Sequence, residues 1–539
     1  MRKRFHGILA VLLAGAVLTA CASPSASAAG GSEKETATAQ TAALSAAAAE
    51  DEILISLSDR GTKVTGDGVS VDGSTVTITQ EGTYRLTGTL SDGQIVVDAD
   101  QEAKVKLILD GVSITKTGSA AVYALSADKV ILYAAAESEN ELRALGEFVQ
   151  SDDNNVDAAV FAKCDLNLNG EGAVEISSES GHGVVSKDDL KVKGGTWDIT
   201  AAGKGLSGKD SVIIEDGAVS IFSGTKGIWS GNEDDSEKGV IEISGGTVSV
   251  TAQDDGVHSD NTVTVSGGEL TVASGDDGIH ADNTLTISGG SVDVTKSYEG
   301  LETNDILISG GSVQIVASDD GVNAAGGNDG SNAFGPFGGD PFGSDSGSTL
   351  TISGGTVVVD AGGDGLDANG ELIVSGGEIY VNGPTNNGNG ALDYGTGASI
   401  SGGTVIAVGA SGMAVNFGSG STQGSILLNL STAQAAGTTV SVADESGKVL
   451  ASFTPSKSYQ SVVISTAGLE QGGTYTVTAG TVSETVTLSS ITYGNGGMGG
   501  FGGPGMGGGP GMDGDQFDRQ DGGYGGRPGG PGMGGGFRR

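Results

Sequence analysis

The stretch Asp254-Asp255-Gly256-Val257-His258-Ser259-Asp260 returns 22 residues later as Asp276-Asp277-Gly278-Ile279-His280-Ala281-Asp282. Related versions follow at Glu299-Gly300-Leu301-Glu302, Asp319-Asp320-Gly321-Val322-Asn323 and Asp364-Gly365-Leu366-Asp367. Set one above another, Asp255, Asp277, Glu299, Asp320 and Asp364 make one file, and Asp260, Asp282, Asn304 and Asn369 a second. Carboxylates held at the roughly 5 Å spacing of neighbouring strands repel one another, so protons or a cation must sit among them. Clustered hard oxygen donors suit Ca2+. The candidate Ca2+ ligands are Asp254, Asp255, Asp260, Asp276, Asp277, Asp282, Glu299, Glu302, Asp319, Asp320, Asp364 and Asp367. A solvated acidic turn is the plainer alternative, because Asp-Gly is good turn chemistry. Recurrence in register across several repeats favours the ion. His258 and His280 would stack as a pair able to ligate a transition metal, although in an acidic field hydrogen-bonded neighbours are the simpler expectation.

Upstream the same column changes sign. His182, Lys204 and Lys226 align with Asp255, Lys187 and Lys209 with Asp260, and Trp229 with His258. An ammonium can pair with a sugar carboxylate while an indole face covers a pyranose ring. Lys204, Lys226, Trp229 and His182 are therefore candidate carbohydrate-binding residues, against the alternative of a salt-bridged surface. Trp197 falls on a core phase, with Val248 as its counterpart. No catalytic residue is assigned. A lyase acting on uronic acids needs a base at the α-carbon and a cation on the carboxylate, yet residues 144–518 contain no arginine. Lys204 or Lys226 would serve only with a depressed pKa. A calcium-dependent, pectate-type polysaccharide lyase thus stays as the enzymatic alternative, and an adhesin or stalk as the structural one.

These files need an element that repeats. Ser-Gly-Gly begins at 244, 266, 288, 309, 353, 375 and 401, a spacing of about 22 with one gap of 44. Each repeat carries alternating apolar pairs before and after the glycines, such as Val263/Val265 and Leu270/Val272, then a lone apolar residue such as Ile279. Period-two alternation buries one face. So short a repeat cannot enclose its own core, and stacking must do so. The expected fold is all-β, a right-handed parallel β-helix of about 22 residues per coil, its hand set by crossover chirality. A propeller needs about twice the period, and a sandwich needs hairpins and more aromatics. Residues 421–493 break the pattern and read as a small antiparallel β-unit that caps the open end.

The ends bound the compartment. Arg2, Lys3 and Arg4 precede an apolar run at 8–18, too short to span a bilayer, and Leu18-Thr19-Ala20-Cys21 looks like a lipobox. The organisation expected is a lipoprotein signal over 1–21 with lipidation at Cys21, a flexible tether over 22–50, the β-helix over 51–420, the β-unit over 421–493, and a Gly-rich disordered tail over 494–539. This predicts an extracellular, lipid-anchored monomer held to the cell membrane. With Cys21 lipidated, Cys164 has no disulfide partner and reads as a buried thiol. The insertion at 324–348, with Phe334, Phe337 and Phe342, reads as a disordered loop. A net charge of −40 excludes a nucleic-acid partner and favours cations.

Gly82-Thr83-Tyr84-Arg85-Leu86-Thr87-Gly88-Thr89-Leu90, Leu109-Asp110-Gly111-Val112, the Ser-Gly-Gly and Asp-Asp-Gly repeats, and Tyr459-Gln460-Ser461-Val462 together resemble the bacterial surface carbohydrate-binding domain-containing β-helix proteins. The resemblance runs over about 51–493. That family is similar to pectate lyases in fold. The resemblance implies a right-handed β-helix, bound calcium on the Asp-Asp-Gly files and affinity for cellulose-like and acidic plant polysaccharides.

Overall fold

The structure, a computed structural model, describes residues 52–150, 153–325 and 347–494. Cys21, the tether, most of the insertion and the tail therefore lie outside the described residues. Among the described residues every regular element is a strand, so the fold is all-β.

Each repeat contributes three strands, and each pairs in parallel with its counterpart one repeat on. Val263 and Val265 face Leu285 and Ile287, which face Ile306 and Ile308. Leu270 and Val272 face Val292 and Val294, which face Val313 and Ile315. The short third strands align Leu206, Ile228, Val257, Ile279, Leu301, Val322 and Leu366. Each of these seven is buried, so the lone apolar residue of every repeat fills the interior while its neighbours stay on the outer face. Asp305 pairs with Thr349 and Val322 with Leu366, so the 44-residue gap adds chain without shifting the ladder.

Glycines make this stacking possible at two kinds of place. Gly290, the second glycine of its Ser-Gly-Gly, has φ +77°, a conformation costly for any residue with a side chain. Gly278 of the Asp-Asp-Gly is needed for closeness: a Cβ there would stand 2.5 Å from the Gly300 carbonyl oxygen and 2.7 Å from a methyl of Val294. The core is aliphatic, with Trp197 wholly buried between Val174 and Val219 and its indole N–H donated to the Gly194 carbonyl at 2.8 Å. Cys164 is buried, and burial pushes its thiol up to about 12.

The two ends depart from parallel pairing. Residues 52–78 hold two antiparallel pairs, Glu52–Ser58 with Lys63–Val64 and Val69–Asp72 with Thr75–Ile78. At the other end Tyr459–Ser465 runs antiparallel to both Thr404–Gly409 and Ser425–Gln434. A separate four-stranded antiparallel sheet lies beyond, formed by Val440–Asp444, Val449–Phe453, Thr474–Ala479 and Val482–Thr487. Its apolar face packs with Ile406, Val408, Ile426 and Leu428. The last parallel strand, Thr404–Gly409, is thus paired rather than left as an open edge.

Candidate functional site

The short third strands fix the site. In Val257–Ser259 the flanking residues point inward and His258 outward. The register stacks the outward positions Trp229, His258, His280, Glu302, Asn323 and Asp367 in one file. Two positions before each buried apolar residue stand His182, Lys204, Lys226, Asp255, Asp277, Glu299, Asp320 and Asp364. The carboxylates here also serve the backbone. Asp255 Oδ1 accepts the Asp277 N–H at 3.1 Å, Asp320 Oδ1 accepts the Asp364 N–H at 2.6 Å, and Asp364 Oδ1 accepts the Gly390 N–H. Each acid thereby ties its own turn to the next.

The file is not uniform, as the sequence pattern had suggested, but falls into three environments. The first is neutralised internally. Asp255 receives the ammonium of Lys226 and a hydrogen bond from His258 Nδ1 at 2.7 Å, and Lys226 also lies 3.2 Å from Asp254. Burial alone would raise Asp255, but His258 and Lys226 outweigh it and hold the carboxyl well below the ordinary range. The carboxylate oxygens of Asp254, Asp255 and Asp276 converge within 4.8 Å, but with Lys226 already among them.

The second environment surrounds the imidazoles. His280 Nδ1 meets Glu302 at 2.7 Å and Asp277 at 3.2 Å, while its Nε2 meets Asp282 at 3.2 Å. Burial opposes the charged ring, yet these three carboxyls raise the imidazole above its usual value. Asp277 is raised too, by burial and by the adjacent Glu302 against the His280 hydrogen bond. His258 Nε2 faces Asp260 at 3.3 Å. Asp260 and Asp282 therefore serve the histidines, and the second file does not continue as a ladder of acids: Asn304 accepts from Ser348 Oγ, and Asn369 donates to the Ala325 carbonyl.

The third environment has no cationic partner among the described residues. Asp320, Asp364 and Asp367 bring carboxylate oxygens within 4.8 Å of one another. Burial, then mutual repulsion, pushes Asp320 and Asp367 up to about 8 and Glu299 up to about 7. Asp364 rises to about 6, again chiefly through burial. Asn323 donates its amide to Glu299 at 2.8 Å, and its Oδ1 is buried with no hydrogen-bond partner. A buried orphan carbonyl beside close carboxylates is a donor set that a hard divalent cation fits. Asp319, adjoining this group, stands beside the Tyr298 hydroxyl.

The four residues first singled out for sugar are each engaged within the protein. His182 Nδ1 accepts the Lys204 N–H at 2.8 Å, and its Nε2 lies 3.7 Å from Asp157. Lys226 is held by Asp254 and Asp255. The Lys204 ammonium sits 3.1 Å from the centroid of the Trp229 ring, and burial pushes it down to about 8. The open space lies one column over: a surface cavity of about 270 Å³ is lined by Trp229, Lys187, Lys209, Ser186, Ser207 and Asp234. Lys187 and Lys209 were visible in the repeat alignment as the positive counterparts of Asp260. What the alignment could not show was that the Lys204 ammonium would cover one indole face. The loop bringing Asp234 to the cavity, where it pairs with Lys209 at 2.6 Å, belongs to no repeat and gave no signal.

A family model described as "Carbohydrate-binding domain-containing protein" matches residues 72–326. That span contains the cavity and the histidines and stops short of Asp364 and Asp367. A curated relative with the same description, from Acetivibrio thermocellus, is 37% identical over 137 residues, 25% of this chain and 48% of its own. The match thus spans about half of that relative's length. A solved structure described as a polysaccharide lyase-like protein from C. thermocellum, a gadolinium derivative, is 33% identical, with 44% of this chain and 96% of that chain covered at a TM-score of 0.42.

Proposed function

We propose that this chain is a noncatalytic carbohydrate-binding lipoprotein of the cell surface, anchored through Cys21. Its stacked repeats form a right-handed parallel β-helix, with calcium held between acidic turns and an acidic polysaccharide lying along the lysine-rich turns upstream. The matched family's description supports the carbohydrate partner. The observation that carries the reading is the cavity where the Trp229 indole stands beside Lys187 and Lys209. An indole edge and two ammonium groups fit a uronic acid ring, whose carboxylate would displace Asp234 from Lys209.

Calcium in this reading is held by Asp320, Asp364 and Asp367, with Glu299 and the Asn323 carbonyl beside them. Its chemistry there is charge neutralisation of buried carboxylates. Asp254, Asp255 and Asp277 contribute less, since Lys226, His258 and His280 are already their partners. The chain's own residues do the rest: backbone N–H groups orient the carboxylates, and the ladder fixes their spacing.

One observation favours the lyase as a second reading. Burial brings Lys204 down to about 8, so a usable fraction of neutral amine exists near pH 8. Against it, that amine points at the Trp229 ring rather than at open space. Affinity electrophoresis of the full-length chain through polygalacturonate tests binding, and ultraviolet absorbance of the unsaturated product tests cleavage. Retardation without product supports the binding reading. Product that disappears in Lys204→Ala overturns it in favour of the lyase, and no retardation on polygalacturonate or cellulose overturns both.

A further inference from the structure

We propose that His258, His280 and Asp282 form a binding site for a borderline transition-metal ion such as Zn2+, distinct from the oxygen-only group around Asp320. The two imidazoles stack face to face, with ring centroids 4.5 Å apart and planes within 5°. They sit at paired positions of adjacent turns, so the same edge of each ring faces outward. His258 Nε2, His280 Nε2 and an Asp282 oxygen are near enough for one ion, with the ligating atoms of these three residues all within 4.8 Å of one another.

The inner edges make this a built site. His258 Nδ1 is held by Asp255, which is 4% exposed, and His280 Nδ1 by Glu302 and Asp277, 6% and 5% exposed. A carboxylate on Nδ1 keeps the proton on that nitrogen and aims the ring, so that Nε2, facing Asp260 in His258 and Asp282 in His280, is the atom at which a metal would replace a proton. An ion that takes the place of the Nε2 protons gains two nitrogen donors, which calcium does not favour and zinc does. Three protein donors leave a fourth position of a tetrahedron for water, and Asp260, 3.3 Å from His258 Nε2, stands beside it. Nitrogen–metal bonds of about 2.1 Å require the outer ring edges to close together, by roughly an ångström. Binding therefore requires both rings to tilt about their Cβ bonds until the two Nε2 atoms converge on the ion. The ion would clip two adjacent turns where the charge of the column changes from lysine to carboxylate.

Co2+ is a suitable probe because a tetrahedral site with nitrogen donors gives it a far more intense, red-shifted visible absorption than the weak band of aqueous Co2+. The full-length chain is titrated with Co2+ in excess Ca2+. The expected result is one equivalent bound, a visible band, and its loss on adding Zn2+. His258→Gln and Asp282→Asn should each weaken Co2+ at least about tenfold, in line with the loss of one ligand or its support. Asp364→Asn should leave it unchanged. His280 is buried, so His280→Gln is read together with the Asp282 variant, whose side chain is exposed. Wild-type protein that takes up no Co2+ under excess Ca2+, or that binds it equally well in both His258→Gln and Asp282→Asn, overturns the proposal.

Discussion

Asp255 and Asp320 occupy the same place in their turns and carry opposite consequences. Asp255 is paired with Lys226 and His258, whereas Asp320 meets only other acids among the described residues. Removing Lys226 by Lys226→Ala leaves the buried Asp255 carboxylate with His258 as its remaining charged partner and is expected to cost about 1–3 kcal/mol in denaturant unfolding. The Asp320 group behaves differently with pH. Without a cation the folded state binds protons more tightly than the unfolded chain, because Asp320 and Asp367 rise from 3.8 to about 8 and Glu299 from 4.5 to about 7. Calcium-free protein should therefore be most stable near pH 4, and its melting temperature should fall as pH climbs through 6 to 8. Saturating Ca2+ should remove or reverse that slope, and a melting temperature that rises with pH under chelator would contradict the assignment. The alignment made these files readable because acids recurred at one phase. It could not separate them, since that depends on which side chain from a neighbouring turn reaches each acid.

At the scale of elements, the lone apolar residue of each short strand is the critical one. Leu301 is wholly buried between Ile279 and Val322. Leu301→Ala should destabilise by about 2–5 kcal/mol through lost transfer energy and a residual cavity, as read by urea unfolding. Gly278→Ala should be comparably harmful for the opposite reason, overpacking against the Gly300 carbonyl and Val294. Two nearly equal losses from one deletion and one addition would show that the stack tolerates neither gap nor excess. These strands were legible because period-two patterning with paired glycines fixes both face and corner. Trp197 was placed correctly as core for the same reason. The antiparallel pairs at 52–78 were not legible, since a strand opening a stack has the same alternation whichever way its neighbour runs.

Across the whole molecule, charge is the governing quantity. A net charge of −40 must be relieved somewhere on folding, and the described lysines gather in the turns before Asp254 rather than among the acids after it. In the proposed reading, divalent cations on the acidic turns and an acidic polymer on the basic ones would complement one another along a single column. Chelation should lower the melting temperature of the full-length chain, with the shift reversed by Ca2+, if the ions bind only folded turns. The antiparallel sheet near the C-terminus supplies a second core against which the last parallel strands close, and its strands were visible as a break in the repeat. The proposed role of the Trp229 cavity is to receive an acidic sugar. It is tested most directly by the dissociation constant of oligogalacturonate for wild type against Trp229→Ala and Lys209→Ala, in excess Ca2+. Measurable wild-type binding, weakened about tenfold or more by each substitution, is expected, with thermal stability little changed in Lys209→Ala. Equal affinity in all three proteins would contradict it.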